Sequence, residues 1–209
     1  MTEILIVAVI GALLNLDVTA VGRIMVSRPI IVAPVIGYIL GDFNSGLWMG
    51  LIIELLWIGA IPMGAAIPYD TTILSVIAVY WGIRAMPGYT GTMVLAIAVA
   101  IPAMILHKRI ELSLRYLNIG ISHWVEKGIM DGKEERISYA VFLGVALYYL
   151  QSLFFYLAVL YPGRLLVSFV YSQLPFKAVQ ALDVSLWLLP LAGIGILLVS
   201  FHNKFPCRK

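Results

Sequence analysis

Apolar residues run along this chain in stretches separated by short polar breaks and by glycine and proline, and strict strand-like alternation is absent. Residues 4–21, 29–40, 46–61, 71–83, 92–106, 137–160 and 185–201 read as apolar helices, several of them short. The first is interrupted by Asn15, Asp17 and Thr19, which predicts a broken helix or a cavity wall. Ser27 is placed to cap the second and Pro29 fits its first turn. GlyAspPheAsnSerGly at 41–46 is a turn by composition, so the segment before it either crosses a thin bilayer or turns back as a re-entrant hairpin. Residues 111–136 and 164–183 are amphipathic and read as surface or interfacial, and TyrProGly at 161–163 is expected to end the helix before it.

Composition turns this pattern into a membrane protein. The chain has 209 residues, 62% hydrophobic and 12% charged, with a mean hydropathy of +0.99, against about 25% charged in soluble domains. At about 20 residues per crossing the length allows six to eight membrane segments. The fold class is all-α, polytopic, with short, discontinuous or re-entrant helices among the segments. Three basic residues precede His107 (Arg23, Arg28, Arg84), whereas most of the others concentrate at 107–109, Arg115, Lys127, Lys133, Arg136 and the tail. The positive-inside rule then puts the tail in the cytoplasm. The expected division is a membrane domain over 1–106, a cytoplasmic-side amphipathic segment over 107–136, and C-terminal membrane helices with a short tail over 137–209. The first helix reads as uncleaved, because Glu3 and no basic region precedes its apolar run.

Several chemistries are excluded. His107, His123 and His202 have no second ligand at helical spacing, so no metal is expected. No phosphate-binding loop, HExxH or nucleophile elbow occurs, so no cofactor and no catalytic residue are expected. Cys207 is the lone cysteine, and the basic clusters lack the aromatic interleaving of a nucleic-acid site.

The carboxylates at membrane depth carry the functional expectation. Glu54 lies in GLWMGLIIELLW, where Gly46, Gly50, Glu54 and Trp57 share one helical face. An acid there costs about 2.5–3.5 kcal/mol on insertion scales. Two readings account for it: an ion pair with Arg23 or Arg28, or a carboxylate binding sugar hydroxyls beside the apolar ring of Trp57. Asp70 sits where an N-cap belongs, before a fresh helix at Thr71, and a cap is compatible with a ligand contact. Gly64, Ala65 and Ala66 let the backbone approach a ligand or a helix closely. Asp17, with Asn15, forms a smaller polar island whose expected partner is Arg23 or Arg28. Asp42 reads as a solvated turn residue and Asp183 as a helix cap.

The runs LDVTAVGRIMVSRPIIVAPVIGYILGD at 16–42 and GLIIELLWIGAIPMGAAIPYD at 50–70 resemble the IIC component of mannose/fructose/sorbose-type phosphotransferase systems. The resemblance is carried by the order of a SerArgPro helix start, a LeuGlyAsp turn, a GluLeuLeuTrp helix and a GlyAlaAlaIlePro loop ending in Asp. It covers the first half closely and the second mainly in hydropathy, and members usually continue with further apolar sequence. It implies a sugar-translocating permease subunit in the bacterial inner membrane, oligomeric, working with a IID membrane subunit and soluble IIA and IIB phosphocarriers. It makes Glu54 and Asp70, with the GlyAlaAla loop, the sugar-site residues; Trp57, Asp17, Asn15 and Arg28 are further candidates from the residues themselves. Tyr69 and Thr71 depart from the proline and alanine common in the family, so the sugar does not transfer. Two other readings stay open: an ion-coupled secondary transporter with Glu54 as proton carrier, and a non-transporting scaffold or sensor subunit.

Overall fold

A tight reversal joins two short helices, and its geometry follows from three residues. Gly41 has φ +81° and Asp42 N donates to Gly37 O at 2.9 Å, while Gly41 N donates to Tyr38 O at 3.1 Å. This is a Schellman ending, which glycine accommodates without strain. Asp42 then caps the next helix, accepting from Ser45 N at 3.1 Å, so it is a structural cap and not merely a solvated turn residue.

The computed structural model describes residues 1–19, 24–58, 69–130 and 135–204. They form seven helices: α1 (Thr2–Thr19), α2 (Pro29–Ile39), α3 (Phe43–Trp57), α4 (Thr71–Arg84), α5 (Gly91–Met130), α6 (Glu135–Gln173) and α7 (Phe176–Lys204). No strand occurs among the described residues. The all-α polytopic expectation holds: α5, α6 and α7 are long and apolar enough to cross a membrane. At 11 residues, α2 is about 16 Å long, well short of a hydrocarbon core of about 30 Å. The chain turns back between α2 and α3.

Gly37, Gly46 and Gly50 bring α2 and α3 backbone to backbone. A Cβ on Gly46 would lie 2.6 Å from Ala33 O, and one on Gly50 would lie 2.7 Å from Pro29 O. The small residues on the face shared with Glu54 and Trp57 therefore meet α2. At the centre, α4 is buried from Thr72 to Ile83 and packs against α1, α2, α3, α5 and α6, as a helix apolar on all sides must. One end of the bundle is tied by Arg84, which donates to Glu3 Oε1 and Oε2 at 3.0 and 3.1 Å and to Leu40 O at 3.1 Å.

Four local expectations are corrected. Asn15 and Asp17 do not break α1, because their side chains find partners outside it. TyrProGly does not end a helix, because α6 runs through Pro162 to Gln173. Gly163 instead leaves a notch filled by the Trp81 indole, whose Nε1 donates to Leu160 O at 3.0 Å. Asp183 is not a cap but lies inside α7, accepting from Thr90 Oγ1 at 2.6 Å. The N-cap of α2 is Arg28, whose side chain makes no capping bond, and Ser27 serves through its backbone.

Candidate functional site

The turn at Ile24–Arg28 is held from below by Asp17. Its Oδ1 accepts from Ile24 N at 2.8 Å and its Oδ2 from Ser27 N at 3.1 Å, with the residue 6% exposed. Of the two cations expected to pair with Asp17, Arg28 turns instead to Glu54 and Arg23 lies outside the described residues. Within the turn Met25 adopts φ +70°, a left-handed conformation costing a non-glycine residue about 1–2 kcal/mol. Two charge-assisted bonds to Asp17 offset that strain.

The same turn connects the two carboxylates singled out by sequence. Arg28 Nη1 donates to Glu54 Oε1 at 2.8 Å, with the Glu54 side chain 15% exposed. Ser27 O accepts from Thr72 Oγ1 at 2.9 Å, and Thr72 N is capped by Asp70 Oδ1 at 2.9 Å. Both expected structural roles hold: Glu54 is ion-paired with Arg28, and Asp70 caps α4. Yet neither carboxylate is used up. Glu54 Oε2 and Asp70 Oδ2 are buried and have no partner. Buried polar atoms are rarely left so, and a cluster of them marks a place for water or ligand.

A further wall comes from α1, α5 and α6. Asn15, fully buried, donates to Tyr148 OH at 3.1 Å and to Ser152 Oγ at 3.0 Å, leaving its Oδ1 free. His107, also fully buried, has neither ring nitrogen bonded and meets Phe155 edge-on at 4.8 Å. Both ends of the Gln151 amide and the Tyr156 hydroxyl are likewise unpartnered. Lys108 Nζ stands 4.3 Å over the ring of Tyr69, fixing α5 against the residue before Asp70. Glu111, one turn beyond His107, is held by Arg115 at 2.7 Å.

The structure thus brings Asn15, Asp17, Arg28, Glu54 and Asp70 to one end of α4. Trp57 is partly buried against the core, and Gly64, Ala65 and Ala66 lie outside the described residues. Sequence reasoning missed His107, Gln151 and Tyr156. His107 opens a HisLysArg cluster that reads as surface charge, and only the spacing of Tyr148, Gln151 and Ser152 along one helix side hinted at a polar face. No group of three or more His, Cys, Asp or Glu residues suited to a metal occurs among the described residues.

Comparison with known proteins places this arrangement in a family. The mannose-specific EIIC component of the PTS system of Escherichia coli K12 is 27% identical over 112 residues, covering 54% of this chain and 41% of that protein. The sorbose-specific EIIC component of Klebsiella pneumoniae is 28% identical over 110 residues, covering 53% and 40%. The chain thus aligns to about two-fifths of the length of these curated relatives. Among solved structures, one titled "Structure of membrane protein" superposes with a TM-score of 0.73 at 20% identity, covering all of this chain and 81% of the other. The cryo-EM structure of mannose transporter ManYZ with microcin E492 gives 0.66 at 20% identity, covering 99% and 79%. A family model described as the PTS system sorbose-specific IIC component matches residues 1–205, and the chain belongs to that family.

Proposed function

We propose that this chain is the sugar-permease subunit of a phosphoenolpyruvate-dependent phosphotransferase system, translocating a hexose-like sugar that partner components phosphorylate. The observation that carries the reading is the pair of half-used carboxylates. Glu54 and Asp70 are each anchored through one oxygen and keep the other buried and free. Fixed carboxylate oxygens are strong acceptors for sugar hydroxyls, and their prior anchoring removes the ordering cost of binding. Membership of the IIC family supports the transport role, and likeness to a solved ManYZ chain supports a membrane partner of the IID type.

In this reading the soluble IIA and IIB components carry the phosphoryl group, and this chain supplies binding and passage without catalytic residues. It sits as a multi-pass protein in the bacterial inner membrane with its C-terminus in the cytoplasm. Gly64, Ala65 and Ala66, which lie outside the described residues, and Trp57 stay candidates for the same site by sequence.

The test uses the chain co-expressed with its IID partner and radiolabelled mannose, sorbose and N-acetylgalactosamine. Saturable binding of one sugar is expected, weakened at least tenfold by Glu54→Gln and by Asp70→Asn. Asparagine caps helices about as well as aspartate, so the second variant isolates the ligand contact. Unchanged binding in both variants would refute the assignment, as would a complex that binds none of the sugars.

A further inference from the structure

The unpartnered buried side-chain atoms are not scattered through the fold. Nine occur among the described residues, and eight belong to Asn15, Glu54, Asp70, His107, Gln151 and Tyr156. The ninth, Tyr171 OH, is at the opposite end beside Tyr89. Random packing faults would not gather so strongly at one end of α4.

We infer that His107, Gln151 and Tyr156 form a second wall of the ligand site beside Asp70, and bind sugar hydroxyls through uncharged hydrogen bonds. The inference rests on the permease reading above. Three contacts and one helical spacing place the wall. The Lys108 ammonium over the Tyr69 ring sets the His107 turn of α5 against the 69–70 segment. The His107 ring lies edge-on to Phe155 at 4.8 Å and 64°. Gln151 stands one turn before Phe155 on α6. The Tyr156 ring and Val76 of α4 both lie against Gly11 of α1, with Tyr156 within electrostatic reach of the Asp70 carboxylate.

The chemistry of these groups selects the ligand. An imidazole with two free nitrogens, an amide with both ends free and a phenol are all donor-and-acceptor groups without fixed charge. A sugar hydroxyl is also donor and acceptor, so each can meet one in either sense. An anion would instead call for a free cation here, but Arg115 is engaged with Glu111 and Arg28 with Glu54. A dry arrangement of these groups is costly, so the alternative occupant is ordered water.

Binding to the complex with the IID partner separates the two. Radiolabelled mannose, sorbose and N-acetylgalactosamine are the probes, followed by monodeoxy analogues of whichever sugar binds. Tyr156→Phe, Gln151→Leu and His107→Gln are each expected to weaken binding about tenfold with thermal stability unchanged or raised. Each should also stop discriminating against one deoxy analogue, a readout that a structural role would not move. The three positions are read independently, so a variant that fails to assemble leaves two to decide. If all assembled variants bind and discriminate like wild type while Glu54→Gln loses binding, the wall holds only water and the inference fails. If wild type binds none of the sugars, the permease reading fails and takes the inference with it.

Discussion

Replacing Gly46 by alanine adds one methyl group at the closest approach of α2 and α3. That Cβ would fall 2.6 Å from Ala33 O and 2.9 Å from Gly37 Cα, against a comfortable separation of about 3.5 Å. Both neighbours are backbone, so no rotamer change relieves the clash and the two helices must part. Overpacking of this kind costs about 1–3 kcal/mol, while alanine's better helix propensity returns about 0.5–1 kcal/mol. The net loss is up to about 2.5 kcal/mol, or a fall in melting temperature of up to about 10 °C for a chain of this size. Gly144 is the matched control, because a Cβ there meets nothing within 4 Å. Gly144→Ala should therefore raise stability by about 0.5–1 kcal/mol from propensity alone. Thermal unfolding of the purified variants, followed by intrinsic fluorescence, reads both signs. A rise for Gly46→Ala equal to that of Gly144→Ala would refute the close packing on which the α2–α3 hairpin rests. Because Arg28 and Glu54 stand at the open end of that hairpin, sugar binding should fall together with stability.

Other perturbations reach the site or its supports. Asp17→Asn leaves one acceptor oxygen for two amides, so the Ile24–Arg28 turn should loosen at a cost of about 2–3 kcal/mol, read as a lower melting temperature. Met25→Gly removes the left-handed strain in the same turn and should be neutral or stabilising in the same assay. The unfolded chain's greater freedom offsets part of its gain. Trp81→Phe forfeits the bond to Leu160 O and part of the fit against Gly163, and should cost about 1–3 kcal/mol in unfolding measurements. Thr72→Val removes the bond to Ser27 O while leaving the amide cap intact. A loss of about 1 kcal/mol is expected, with a larger proportional effect on sugar binding than on stability.

Local chemistry was legible at several positions whose partner lies within a few residues, although Asp42, three residues before Ser45, reads only as a turn residue. Asp70 is read correctly as a cap because the N-cap rule needs only the residues that follow it, and Thr72 N supplies them. The short helices flanked by glycine and proline are legible for the same reason. Asp183 was misread because it precedes an apolar run, whereas α7 already starts at Phe176 behind Pro175 and the carboxylate faces Thr90, 93 positions away. TyrProGly was misread because proline and glycine weaken a helix locally, while the Trp81 indole docked on that turn is visible only in three dimensions. His107 shows the limit most plainly. Its neighbours Lys108 and Arg109 argue for water, yet the ring is fully buried against Phe155 because the helix carries only that face inward.

The carboxylates themselves separate into two kinds by how completely they are satisfied. Asp17 spends both oxygens on backbone amides, and Asp42 spends both on Ser45. These two shape the chain and have nothing left to offer a ligand. Glu54 and Asp70 each spend one oxygen on a structural partner and keep the other, and Asn15 does the same with its amide. Cap against ligand contact, or ion pair against ligand contact, is therefore a false opposition at these positions. The structural bond fixes the side chain in the orientation that holds its second atom in the buried cluster, and the loss of freedom is met on folding and not on binding. By this criterion Asp17, a secondary candidate by sequence, falls to the support of the proposed site, whereas Asn15 falls to its proposed lining.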